Sequence, residues 1–91
     1  MRLDFFLKVS RLIKRRTCAK EYCQKGWIEV NERQGKPGTM VKVGDLITLH
    51  LWARRRTVRV LKLPEKIIPK KNMSDLYEII EDKKENTDAD I

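Results

Sequence analysis

The chain has 91 residues, 21 of them Lys or Arg and 13 Asp or Glu, giving a formal net charge of +8 and a pI of about 9.8. One small domain fits that length, and a domain of this size has no room for a deep substrate cavity. The longest unbroken apolar run is three residues, as in Phe5-Phe6-Leu7, against the roughly 18 needed to span a bilayer. A membrane span and a signal peptide are excluded, and the expected location is the cytoplasm.

Leu3, Phe6 and Leu7 fall at i, i+3 and i+4 and predict a short amphipathic helix over about residues 2–9, closed at Ser10 and Arg11. Ala19, Tyr22 and Cys23 share one face of a second helix over about residues 15–25, with Thr17 as a candidate cap and Gly26 as its stop. On one helix the Cα atoms of Cys18 and Cys23 are about 8 Å apart, beyond the reach of a disulfide. With His50 as the lone histidine, the two thiols cannot complete a zinc site, so they read as small apolar groups in a reducing compartment. No metal and no cofactor is expected.

After Gly26 the period changes from 3.6 to 2. Ile28 and Val30 alternate with Glu29, and residues 31–38 are rich in turn formers. Beyond Gly44-Asp45, Ile47, Leu49 and Leu51 are expected to face the core, with Thr48, His50 and Trp52 on the other side. In Arg56 to Leu63, Val58 and Val60 point one way and Thr57 and Arg59 the other. The fold class expected is α+β: two short N-terminal helices packed on a small, twisted, antiparallel sheet. This unit spans residues 1–63 and is expected to be complete by about residue 60. A linker bounded by Pro64 and Pro69 occupies 64–73. Leu76, Ile79 and Ile80 suggest a final acidic helix, capped by Ser74, within residues 74–91, with Asn86 to Ile91 frayed.

Charge divides the chain. Residues 1–71 hold 19 of the 21 basic residues against 6 acidic ones, a net of +13, whereas residues 72–91 hold 2 against 7, a net of −5. Basic clusters at Lys8, Arg11, Lys14, Arg15, Arg16 and Lys20, and again at Arg54, Arg55, Arg56 and Arg59, call for a polyanion. A membrane surface would want a basic helix with bulky apolar residues opposite the charges, which the arginine run between strand-like segments does not offer. The four glycines form no phosphate-binding loop, and His50 has no nucleophile and acid partner at a motif spacing. The chain is read as non-enzymatic, with no catalytic residues.

Five segments carry a family likeness: Arg2-Leu3-Asp4-Phe5-Phe6-Leu7, Arg16-Thr17-Cys18-Ala19, Gly26-Trp27-Ile28-Glu29-Val30-Asn31, Lys36-Pro37 and Val43-Gly44-Asp45. In this order and spacing, over residues 2–60, they closely resemble the S4 RNA-binding domain. The chain departs from that pattern at Arg15, in place of a Ser or Thr cap, at Glu32, in place of Gly, and at Gly38, in place of Ser. The opening segment and Ser10 to Thr17 are similar to the stand-alone branch of the family that serves bacterial ribosome-associated quality control. The fifteen-kilodalton heat-shock proteins are a neighbouring branch.

The resemblance implies partners: large-subunit ribosomal RNA, peptidyl-tRNA, the large ribosomal subunit that holds it, and RqcH, whose C-terminal alanine tailing such factors support. It implies a monomer whose RNA-facing residues are Arg2 and Arg16. Lys8, Arg11, Lys14, Arg15 and Lys20 are their charged neighbours and are expected to hold phosphates. Arginine suits this task because its planar fork makes two hydrogen bonds to one phosphate and stacks on exposed bases. A different class of function, an accessory subunit of an RNA-modifying enzyme, is the competing expectation, because the same domain occurs appended to such enzymes.

Overall fold

The computed structural model describes residues 1–51, 54–63 and 76–84, apart from the side chains of Arg16 and Lys84. Two helices, α1 (Leu3–Val9) and α2 (Arg16–Gln24), precede five strands: β1 (Ile28–Val30), β2 (Arg33–Gln34), β3 (Leu46–Leu51), β4 (Arg54–Val60) and β5 (Tyr77–Lys84). All pairings are antiparallel, in the spatial order β2-β1-β3-β4-β5. The expected α+β architecture is borne out.

The core lies between the helices and one sheet face. Leu3, Phe6, Leu7, Ala19 and Cys23 from the helices meet Ile28, Ile47, Leu49, Val58 and Val60 from the strands, all at most 1% exposed. Each large apolar side chain buried there contributes about 1.5–3 kcal/mol. Leu51, expected in the core, packs against its margin and stays half-buried. At Gly35 a Cβ would lie 2.5 Å from Leu3 Cδ2 and 3.3 Å from Val30 Cγ2, so any larger residue there would push the buried Leu3 side chain out of its place in the core. The start of α1 is tied to the following turn by Leu3 N–H donating to Thr39 O (2.7 Å) and Asp4 N–H to Pro37 O (3.2 Å).

Gly26 ends α2 as expected. Its φ is +80°, its N–H donates to Cys23 O, and the Trp27 N–H donates to Tyr22 O. This is a Schellman cap, and its usual apolar contact is an aromatic one, with the Tyr22 and Trp27 ring centroids 5.1 Å apart. Thr17 is not the cap of α2; that position is held by Arg15, which makes no side-chain capping bond.

Residues 77–84 are a strand, which corrects the expected acidic helix. β5 pairs with β4 from Val60↔Tyr77 to Arg54↔Lys84, with a register shift between Thr57 and Val58. Thr57 pairs with Glu81 and Val58 with Ile79, so Ile80 is the extra residue of a bulge. That extra residue breaks the period-2 alternation and places Leu76, Ile79 and Ile80 at i, i+3 and i+4, which imitates a helical stripe. Leu76 is buried in the core at 3% exposure, so the fold is not complete at residue 60, whereas Ile79 and Ile80 are exposed. The linker at 64–73, the Ser74 cap, Trp52 and residues 86–91 lie outside the described residues.

Candidate nucleic-acid interface

The connection between the two helices is where the exposed cations gather. α1 ends at Ser10, and Arg11 then takes a left-handed conformation, φ +60°, with its N–H donating to Lys8 O. Ser10 is buried and its hydroxyl bonds Leu7 O at 3.3 Å, while Ile13, also buried, donates its N–H to Leu7 O. These two inward anchors fix the loop, and they leave Arg11, Lys14 and Arg15 pointing to solvent. Lys8 lies in the last turn of α1, and exposed Lys20 lies one turn inside α2. Arg16 opens α2, and its side chain is outside the description. Among the described residues, none of Lys8, Arg11, Lys14, Arg15 and Lys20 forms an ion pair. The first turn of α2 carries no acidic residue, so its N–H groups add to the positive potential of the loop.

Arg2 sits apart from this group, at the other end of α1, which is about 10 Å long. Its guanidinium reaches buried Asp4, with Nε 3.3 Å from Oδ1 and Nη2 3.4 Å from Oδ2. Asp4 is 2% exposed while the Arg2 side chain is 51% exposed, so a fixed carboxylate orients an accessible guanidinium. A Cβ at Gly38 would lie 4.0 Å from Arg2 Nη2, which means the serine of the family pattern fits beside it without a clash.

An apolar groove of about 530 Å³ adjoins the basic loop. Leu12, Ile13, Cys18, Tyr22, Trp27 and Leu51 form its walls, and Lys14 and Arg15 are the charged members of its lining. Trp27 is not among the site residues expected from the sequence. The Schellman turn brings its ring, 38% exposed, to the groove, with Lys25 Nζ 4.8 Å from the ring centroid. The available signal was the aromatic pair flanking the Gly26 stop.

The second basic cluster is not free. β5 lies along β4, with Arg55 Nη2 3.0 Å from Glu81, Arg56 Nη2 2.9 Å from Asp82, Arg59 Nη1 3.1 Å from Glu78 and Arg54 Nε 3.6 Å from Asp82. Among the described residues, the cations around the helix connection are therefore unpaired where those of β4 are paired; exposed Arg33, Lys36, Lys42 and Lys62, also without an ion pair, lie elsewhere on the surface.

A family model, the S4 domain, matches residues 1–47. The chain belongs to the S4 domain family. Within it, the chain is 49% identical over 79 residues to a protein of Halalkalibacterium halodurans named RQC P-site tRNA stabilizing factor, covering 87% of this chain and 89% of the relative. A protein of the same name in Listeria monocytogenes is 48% identical, with 97% and 92% covered. Among solved structures, the trimeric Heat Shock Protein 15 of Vibrio cholerae superposes with a TM-score of 0.80 at 26% identity, over 87% of this chain and 80% of that one. The expected S4 membership and its quality-control branch are borne out. Glu32 occupies the glycine position of the family pattern with φ +69°, next to Asn31 at +52°, in a two-residue hairpin joining β1 and β2.

Proposed function

We propose that this protein is a non-enzymatic RNA-binding factor of bacterial ribosome-associated quality control, of the RqcP type. It binds large ribosomal subunits obstructed by peptidyl-tRNA, through ribosomal RNA and tRNA, and supports C-terminal alanine tailing by RqcH. It acts as a monomer in the cytoplasm. Arg2 and Arg16 make the direct contacts, and Lys8, Arg11, Lys14, Arg15 and Lys20 hold phosphates.

The observation that carries this reading is the contrast between two basic clusters, one unpaired around the helix connection and one neutralised within the sheet. Arg11 supports it further. A left-handed conformation costs an L-residue about 1–2 kcal/mol, and glycine would adopt it freely. A strained arginine at the tip of the basic loop makes sense where its side chain is used. The names of the relatives supply the tRNA and the quality-control setting.

The test is sedimentation of the purified protein with obstructed large subunits, empty large subunits and small subunits across a salt series. Phosphate attraction alone is lost steeply as salt rises, so the expected result is retention on obstructed subunits after binding to the other two has gone. Equal retention on all three at every salt would reduce the protein to a generic basic RNA binder. The likeness to Heat Shock Protein 15 favours one second reading, a heat-shock factor that recycles ribosomes, which predicts the same sedimentation but no effect of deletion on alanine tailing. Light scattering of the free protein checks the monomer.

A further inference from the structure

We propose that Arg55 and Arg59, on one face of β4, form a second phosphate-binding surface, which the chain's own acidic strand β5 keeps occupied as a built-in competitor of RNA.

Strand alternation sends Arg55, Thr57 and Arg59 to one face of the sheet and Arg54 and Arg56 to the other. On a regular strand Glu78 and Glu81, three residues apart, would face opposite ways. The bulge at Ile80 restores the phase and brings both to the same face, where Glu78 meets Arg59 and Glu81 meets Arg55. Asp82 then falls on the other face, between Arg54 and Arg56, and takes both. One inserted residue thus supplies all four arginines with a carboxylate from three acidic side chains.

The Arg55–Glu81 and Arg59–Glu78 pairs are built to be exchangeable. Arg55, Arg59, Glu78 and Glu81 are 38%, 48%, 49% and 48% exposed, and ion pairs at such exposure contribute little to stability. An RNA phosphate offers each guanidinium the same bidentate geometry and releases counterions as well. What holds β5 in place is independent of its charge: the backbone ladder with β4, and Leu76, which is buried in the core at 3% exposure. The carboxylates can therefore act on RNA without being needed for the strand. Their effect is to confine RNA to the helical side and to keep a strongly basic body off bulk RNA. This inference concerns RNA in general and does not depend on the ribosomal reading.

The experiment measures binding of labelled oligouridylate and of bulk tRNA by fluorescence anisotropy over a salt series. The variant Glu78→Gln/Glu81→Gln/Asp82→Asn keeps side-chain shape and removes three charges. It is expected to bind roughly tenfold or more tightly at low salt, with a log-log salt slope steeper by about 1.4 if two arginines on one face each recruit a phosphate of single-stranded RNA. A control with the same net charge, Glu21→Gln/Glu29→Gln/Glu32→Gln, should gain less and keep the parent slope. Equal gains in the two variants, or no gain in a variant that still melts cooperatively, would overturn the proposal. A second arm does not depend on the folding of the acidic variant: Arg55→Gln/Arg59→Gln in the parent chain should cost no more RNA affinity than the charge-matched Lys36→Gln/Lys62→Gln, because the arginine side chains are already occupied. A loss beyond that of the control would mean RNA uses them in the native protein, and the competitor role would fall.

Discussion

Asn31 and Asp45 lock the two ends of the sheet hairpins together: Asn31 Nδ2 donates to Asp45 Oδ1 at 3.1 Å, and Asn31 Oδ1 accepts from the Leu46 N–H at 3.0 Å. Asp45 Oδ2 in turn accepts from the Lys42 N–H at 2.8 Å. Two of the motif residues that mark the family are therefore structural, tying the β1–β2 turn to the entry of β3.

Asn31→Ala removes both side-chain bonds and puts a residue with no local hydrogen bonding at φ +52°. The expected loss is about 2 kcal/mol, measured by chemical denaturation, with RNA binding by the folded protein unchanged.

Glu32→Gly relieves the second strained position of the same turn, at φ +69°. The variant should be more stable by up to about 1 kcal/mol, and its RNA affinity should match the parent's.

Arg11→Gly relieves the same kind of strain at φ +60° but in the basic loop. Stability should again rise by up to about 1 kcal/mol while RNA binding weakens, with the salt slope shallower by about 0.7–0.9. Taken with Glu32→Gly, this separates backbone relief from loss of a contact. If Arg11→Gly binds RNA as the parent does, Arg11 is not part of the interface.

Lys14→Ala, Arg15→Ala and Lys20→Ala should each weaken RNA binding and flatten its salt dependence, with stability within about 0.5 kcal/mol of the parent. Arg15→Ala is the sharpest of these, because Arg15 both lines the groove and precedes α2.

Cys23 is buried, and desolvation, with a smaller contribution from the Asp4 charge, pushes its thiol up to about 11. A raised folded-state value means the folded chain holds its proton where the unfolded chain has lost it. The associated stability is complete below pH 9.0 and is lost as pH rises towards about 11. Denaturation midpoints should therefore fall over that window more in the parent than in Cys23→Ala. At about pH 8, iodoacetamide should modify half-buried Cys18 in the native protein and reach Cys23 only on unfolding.

Both helices, the β1 and β3 cores and the Gly26 stop were legible because each follows from local periodicity or a single backbone requirement. β5 was not, because the bulge at Ile80 replaces alternation with helix-like spacing, and only pairing with β4 reveals the extra residue. The site was legible as charge but not as availability. In the sequence Arg54 to Arg59 look as free as Lys8 to Lys20, and what distinguishes them is a strand some twenty residues further on that carries matching carboxylates. The groove beside Trp27 was hidden for a similar reason, since the end of α2 and the end of β3 meet only in the folded chain.

The two margins of the sheet also bear on how the protein behaves at high concentration. An open strand edge is a template on which another chain can add, and long flat edges seed aggregation. Here one margin, β2, is two residues long, and the other, β5, is kinked by its bulge and studded with Glu78, Glu81, Asp82 and Lys83. Neither offers a flat run of apolar backbone, so a chain with exposed Ile79 and Ile80 is still poorly shaped for templating a copy of itself.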